Sequence, residues 1–327
     1  PVHGMDLVST IDITYQDVAE NALEKQLRKH KAHHGSAILM KVETGEILAM
    51  ANLADTTGDG KYAEFYNYAI GERTEPGSTF KLASMIAAFE DGYVDLLDTI
   101  DTGNGRTSYY GFPIRDTKRG GWGKLTVKEV FQVSSNVGVS KIIHQHYKNQ
   151  PERFIDRLYS MNIASPSGIE LKGEPDPYVK YPDNELWSGI SLPQMSIGYE
   201  VLLTPMQLLT FYNAVANDGK MVKPRMGKRI EKRGKVVRKF NTQVKNPAIC
   251  SRETIEKVQV MLEAVVEEGT ARNIRNSHYK IAGKTGTAQL AYNKEGYGNE
   301  KNETRYQASF AGYFPATTGW RRLRHRT

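Results

Sequence analysis

Three short groups of residues could do chemistry together. They are Ser78 with Lys81 three positions later, Ser134-Ser135-Asn136, and Lys284-Thr285-Gly286-Thr287. A serine hydroxyl is a weak nucleophile until its proton is removed, and a lysine can remove it only as the free amine. Neutrality near pH 7 requires the lysine pKa to fall from about 10.4, a change of about 4 kcal/mol, which desolvation and a second nearby cation can supply. Lys284 is the candidate second cation. The Ser134 hydroxyl could relay a proton to a leaving amine, and the Asn136 amide could hold a substrate amide. Serine–lysine, then S-x-N, then K-T-G describes acyl transfer through a serine nucleophile.

Bare patterns recur, so local context must select among them. S-x-x-K is also found at Ser277–Lys280, and S-x-N at Ser160-Met161-Asn162. Ser277 and Lys280 lead into a predicted strand, where an offset of three places side chains on opposite faces. Pro76-Gly77 instead stops one segment, and Ser78 opens an apolar-periodic helix on which Lys81 shares its face. The helix N-terminus there favours developing negative charge. Ser160 ends a predicted helix, whereas Ser134 lies in a break between two. K-T-G occurs once. Gly283 and Gly286 would let a ligand backbone approach its strand, and an extended peptide could add to that edge. Lys284, Thr285 and Thr287 would then meet a carboxylate, and the backbone N–H groups of Ser78 and Thr287 would form an oxyanion hole. Strict alternation puts Lys284 and Thr285 on opposite faces, so a twist or bulge is expected if both act.

The elements that must position these residues follow from periodicity. A helix is predicted from Asp12 to about Lys31, with Ile13, Val18, Ala22, Leu23 and Leu27 at helical spacing. Strands Ala37–Val42 and Ile47–Ala51 follow around Glu43-Thr44-Gly45-Glu46. Ser78 to about Glu90 is a helix stopped by Asp91-Gly92. Thr126 to Glu129 reads as a capping box whose helix reaches Val133, breaks at Ser134-Ser135-Asn136 and resumes over Val137–His146. Thr204-Pro205 opens another helix over Met206–Ala216, and Ser251 caps one through Glu268. Tyr279–Leu290 and Gln307–Phe314 are predicted strands. Strands at both ends with helices between predict one sheet built from terminal segments and a helical lobe inserted between them.

Bulk properties exclude little. At 327 residues, 39% hydrophobic and 25% charged, the chain reads as a soluble globular protein without an apolar run of the ~20 residues that span a bilayer. The formal charge of +7 suggests nucleic acid, but removing Arg321, Arg322, Arg324 and Arg326 leaves only +3. The other basic run, Lys228 to Lys239 around Gly234, predicts a solvated hairpin. Cys250 is the sole cysteine and is expected to be a buried spectator. His30, His33 and His34 have offsets compatible with one helix face, but no acidic or cysteine ligand accompanies them, so an exposed cluster is expected rather than a metal site.

Taken together, the motifs resemble the transpeptidase domain of class B penicillin-binding proteins, most of all the division-specific (septal) branch. The resemblance covers nearly the whole chain. It rests on Glu75-Pro76-Gly77-Ser78-Thr79-Phe80-Lys81, Val133-Ser134-Ser135-Asn136-Val137-Gly138, Ser196-Ile197-Gly198-Tyr199-Glu200 through Thr204-Pro205-Met206-Gln207, and Ala282-Gly283-Lys284-Thr285-Gly286-Thr287-Ala288. It implies an α/β (α+β) penicillin-binding-protein/serine β-lactamase-like fold, an antiparallel sheet flanked by helices with an inserted all-helical lobe. It implies that Ser78, Lys81, Ser134 and Lys284 are catalytic and that Asn136, Thr285, Gly286 and Thr287 bind substrate. Ser78 would attack the D-Ala-D-Ala peptide of a peptidoglycan stem, expel the last D-Ala and await an amine from a neighbouring stem. β-Lactams would acylate the same serine, with no cofactor and no metal. Family members work outside the cytoplasmic membrane on an N-terminal anchor, with a septal glycosyltransferase and other division proteins as partners.

The expected organisation is a remnant of a preceding non-catalytic domain or linker over 1–10 and a transpeptidase domain over 11–316. Its sheet lobe comes from about 11–75 and 250–316, and its helical lobe from about 76–249. Phe310-Ala311-Gly312-Tyr313-Phe314-Pro315 matches a family strand. The basic tail 317–327 departs from the family pattern where a final strand and closing helix are expected, and is read as non-native. Rival functions are a serine β-lactamase, for which Glu185 is the nearest lookalike of a deacylating glutamate, a D,D-carboxypeptidase, a non-catalytic β-lactam sensor, and a nucleic-acid binder resting on charge alone.

Overall fold

A computed structural model of the chain describes residues 4–290 and 305–316. The tail 317–327, with its four arginines, therefore lies outside the described residues, as do residues 1–3 and 291–304. Along the chain, β1 (Asp6–Ser9), α1 (Ile13–His30), β2 (His34–Met40) and β3 (Ile47–Ala54) precede α2 (Lys81–Glu90) and the strands β4 (Arg106–Tyr109) and β5 (Phe112–Arg115). Then come α3 (Val127–Gln132), α4 (Asn136–Tyr147), α5 (Pro205–Ala216), β6 (Gly227–Lys232), β7 (Lys235–Lys239), α6 (Arg252–Glu267), β8 (Ala282–Leu290) and β9 (Arg305–Tyr313). The described residues fall into two compact units. One draws on residues 4–73, Ser165–Pro177 and Leu203–Ile249, the other on Thr74–Ala164, Tyr178–Leu202 and the described residues from 250 onward.

The first unit is built on α1 and the antiparallel pair β2–β3. Asp12 caps α1 by accepting from the Thr14 and Tyr15 N–H groups, and Lys31 ends it in the left-handed region at φ 49°. Met40, Ile47, Ile70, Ile169 and Met206 form a buried apolar cluster in this unit. The basic run folds as the predicted hairpin, with Arg233 and Gly234 both at positive φ between β6 and β7. It also receives β1 as a third strand. The histidines do not share a helix face. His30 ends α1 and His34 opens β2, where it stacks on Tyr68 and sits 2.8 Å from the Glu72 carboxylate.

In the second unit, α2 is buried from Lys81 through Phe89. The Thr126–Glu129 capping box forms as predicted, and α3 ends at Gln132. Ser134 then takes φ 60°, and the Ser135 hydroxyl accepts from Gly138 N–H to cap α4. β8 and β9 pair antiparallel from Ala282↔Tyr313 to Leu290↔Arg305. The segment 99–126, placed inside the expected helical lobe without an element of its own, carries short strand pairs, among them the β4–β5 hairpin. Its turn is Tyr110-Gly111, both at positive φ, and tyrosine there gives none of the usual Asn-Gly signal. Residues 203–249, expected with the helical lobe, pack in the first unit. Cys250 is half-buried rather than fully enclosed, and burial with the nearby Glu90 charge pushes its thiol up to about 12.

Candidate active site

Ser78 does not open the α-helix itself. It lies in a tight 3-10 turn, Gly77–Thr79, with α2 beginning at Lys81. Gly77 takes φ 53° and donates its N–H to the Gly198 carbonyl at 3.1 Å, while the Thr79 hydroxyl donates to the Pro76 carbonyl at 2.7 Å. Glycine is required for space as well as for φ. A methyl group on Gly77 would lie 3.0 Å from the Thr287 carbonyl oxygen, and one on Gly198 would overlap the Gly77 carbonyl. On Gly286 it would sit 2.9 Å from Thr79 Cγ2 and 3.2 Å from the Pro76 carbonyl. The turn holding half-buried Ser78 is thus pressed against the K-T-G strand at Gly286 and Thr287.

Lys81 is the hub. Its side chain is 0% exposed, and Nζ lies 2.7 Å from the Ser134 carbonyl, 3.2 Å from Ser134 Oγ and 2.6 Å from Asn136 Oδ1. Burial lowers its pKa to about 7, against the opposing charge of Asp116. In the neutral form the amine keeps two N–H donors and gains a lone pair, which Ser134 Oγ–H can meet. Asn136 has little freedom to flip, since its Nδ2 donates to the Arg115 carbonyl at 2.9 Å while its Oδ1 faces Lys81.

Lys284 enters from β8. It is also 0% exposed, its Nζ donates to the Thr285 carbonyl at 3.1 Å, and it lies 5.6 Å from the centre of the Phe131 ring. Burial lowers its pKa well below the ordinary lysine value, and the charge of Lys81 pushes the same way. Two enclosed ammonium groups in mutual repulsion resist carrying two charges at once.

Of the twist or bulge expected if Lys284 and Thr285 both act, the K-T-G strand shows no bulge. Pairing with β9 runs without a register shift, so Lys284, Gly286 and Ala288 share one face and Thr285 and Thr287 the other. Thr285 instead shares a hydroxyl–hydroxyl hydrogen bond of 2.6 Å with Thr270, just beyond α6, and Thr287 is exposed. Among the described residues β8 has a strand partner on one side only.

The duplicate motifs lie apart from this constellation. Ser277 sits on a loop, not a strand, and Lys280 pairs with Glu263 on α6 at 2.9 Å. Ser160 donates to the Arg157 carbonyl at a helix end, with Asn162 at φ 60°. Glu185 is an exposed loop residue. Sequence reasoning missed Asp116, Phe131, Thr270 and Gly198. Each acts on a motif residue from a distant part of the chain, and only Gly198, inside a matched segment, left a trace in the sequence.

The penicillin binding protein transpeptidase domain family matches residues 35–320. The chain is 32% identical to the probable peptidoglycan D,D-transpeptidase PbpC of Pseudomonas aeruginosa, over 97% of this chain and 53% of that protein. It is 30% identical to the peptidoglycan D,D-transpeptidase FtsI of Escherichia coli, over 95% of this chain and 50% of that protein. Penicillin binding protein 3 of Mycobacterium tuberculosis, solved with ampicillin, aligns with a TM-score of 0.81 at 29% identity, covering 96% of this chain and 70% of that one. The chain spans about half the length of the curated relatives it matches.

Proposed function

Because the chain belongs to the class B penicillin-binding-protein transpeptidase family, we propose that it cross-links peptidoglycan stem peptides through an acyl-enzyme on Ser78 and is a covalent target of β-lactams. The observation that carries this reading is the enclosed Lys81 amine, poised near neutrality and in contact with both Ser134 and Asn136, three residues from Ser78.

In this scheme Lys81 takes the Ser78 proton as Oγ attacks the carbonyl of the penultimate D-Ala. The N–H groups of Ser78 and Thr287 hold the oxyanion. Ser134 passes its proton to the departing D-Ala amine and is reprotonated by Lys81, 3.2 Å away, which returns Lys81 to the free amine; the C–N bond breaks and the Ser78 ester remains. An amine from a second stem then attacks the ester, forms the new amide and returns the proton to the serine. The Asn136 N–H not used by Arg115 binds the donor peptide amide. Thr285 and Thr287 receive its carboxylate, with Gly286 allowing its backbone to lie along β8, while Lys284 acts from the opposite face of the strand, on the Lys81 side.

No helix among the described residues is long and apolar enough to cross a membrane. Work on the extracytoplasmic side, beside a septal glycosyltransferase and division proteins, belongs to the same proposal. The assay that tests it supplies a D-Ala-D-Ala donor with increasing amine acceptor. D-Ala release with amide product rising with acceptor concentration is expected. Hydrolysis alone would make the protein a carboxypeptidase, rapid penicillin turnover a β-lactamase, and labelling without D-Ala release a sensor.

A further inference from the structure

We propose that Asp116, at the end of the β4–β5 hairpin, is the positioning residue that sets the S-x-N loop against Lys81, an inference that rests on the acyl-transfer reading of this site. The loop needs a brace. Ser134 sits at φ 60°, a conformation that costs a non-glycine residue roughly 1 kcal/mol or more, and it joins two helices whose ends must be tied down. Asp116 supplies the ties. Its carboxylate accepts from the Ser135 hydroxyl at 2.9 and 3.1 Å and from the Val137 N–H at 3.0 Å. Ser135 is 1% exposed, its hydroxyl accepts from Gly138 N–H at 2.8 Å, and its single proton goes to the Asp116 carboxylate. The negative charge also stands at the N-terminus of the 12-residue α4, where the helix dipole favours it.

Asp116 is itself fixed. Its N–H donates to the Gly105 carbonyl at 2.9 Å, and Arg106 pairs with Arg115 in the hairpin immediately before it. The preceding residue completes the brace, because the Arg115 carbonyl orients the Asn136 amide whose oxygen meets Lys81. One hairpin end therefore holds Ser135, Val137 and Asn136. The charge that acts on Lys81 is that of Asp116, which favours its protonated form against the effect of burial, while Lys81 in turn pushes the Lys284 pKa down. Asp116 thus fixes the geometry of the base while restraining its loss of a proton.

The test compares Asp116→Ala with Asp116→Asn. The alanine variant, lacking both acceptors, is expected to lose at least about tenfold in the rate of acylation by penicillin, the equivalent of one hydrogen bond to a charged group. The asparagine variant, which keeps an acceptor oxygen without the charge, is expected to recover most of that rate, with its acid limb moved to lower pH. A purely structural loss would lower both variants without moving the limb. Backbone amide exchange at Val137 and Gly138, measured on the unliganded protein, supplies a readout independent of activity. It should be fast in the alanine variant and slowed again in the asparagine variant. Wild-type acylation with no change in either variant, or unchanged exchange at both amides, overturns the proposal. A wild-type protein that takes no label at all would dismiss the transpeptidase reading, and the brace would then stand or fall on the exchange result.

Discussion

Ser78→Ala is expected to abolish covalent labelling by a fluorescent penicillin, and Ser277→Ala to label as fully as the wild type. Both serines begin an S-x-x-K pattern, so composition and spacing treat them alike. Their surroundings do not. Ser78 lies in a turn packed against the K-T-G strand, three residues before an enclosed lysine. Lys280 is tied to Glu263 and stays cationic, its pKa raised by that partner, so it offers Ser277 no base. Removing the Ser78 hydroxyl takes away the only atom that could form the ester and disturbs no contact of Lys81 with Ser134 or Asn136. Label persisting on Ser78→Ala would end the assignment.

Lys81→Met is expected to slow acylation by about 10³-fold, within the range of a general base, while raising stability at neutral pH by roughly 1–2 kcal/mol. The two effects share a cause. An enclosed amine with a pKa of about 7, against an ordinary 10.5, binds its proton more weakly folded than unfolded. The unfolded chain then holds the extra proton between those two values, so wild-type stability falls as pH drops from about 10.5 to about 7. Methionine fills the same space without that cost. The advantage of Lys81→Met in urea unfolding should therefore be largest at and below pH 7 and shrink as pH rises toward 10.5. The wild-type acylation rate should rise with pH through about 7, as the amine becomes free, and then level off. Lower stability in the methionine variant across that whole range would mean that the lysine contacts outweigh its desolvation.

Much of this site was legible in the sequence because its parts are local. The Thr126 capping box, the helix after Thr204-Pro205 and the Lys228–Lys239 hairpin follow from short-range rules and form as expected. Lys284 lies near enough to Lys81 for its own pKa to be pushed down by that charge, but the lowered pKa of Lys81 comes from burial and not from Lys284 as a second cation. What stayed hidden depends on distance along the chain. Asp116 meets Ser135 from a hairpin whose Tyr110-Gly111 turn lacks the usual sequence signal, and Thr270 meets Thr285 from beyond another helix. The twist or bulge needed in β8 if Lys284 and Thr285 were to act together does not take the form of a bulge. Strand alternation does separate Lys284 from Thr285, but each finds its own partner, Lys284 on the Lys81 side and Thr285 against Thr270, so the strand has no need to break.

The central claim is that Lys81, three residues after Ser78, is held with a pKa of about 7, and it can be measured without substrate. In protein carrying ¹³Cε-labelled lysine, the Lys81 resonance, identified by its loss in Lys81→Met, should titrate with a midpoint near 7. A midpoint at the ordinary lysine value of 10.5 would contradict the account, because Lys81 would then be a permanent cation that cannot take the serine proton.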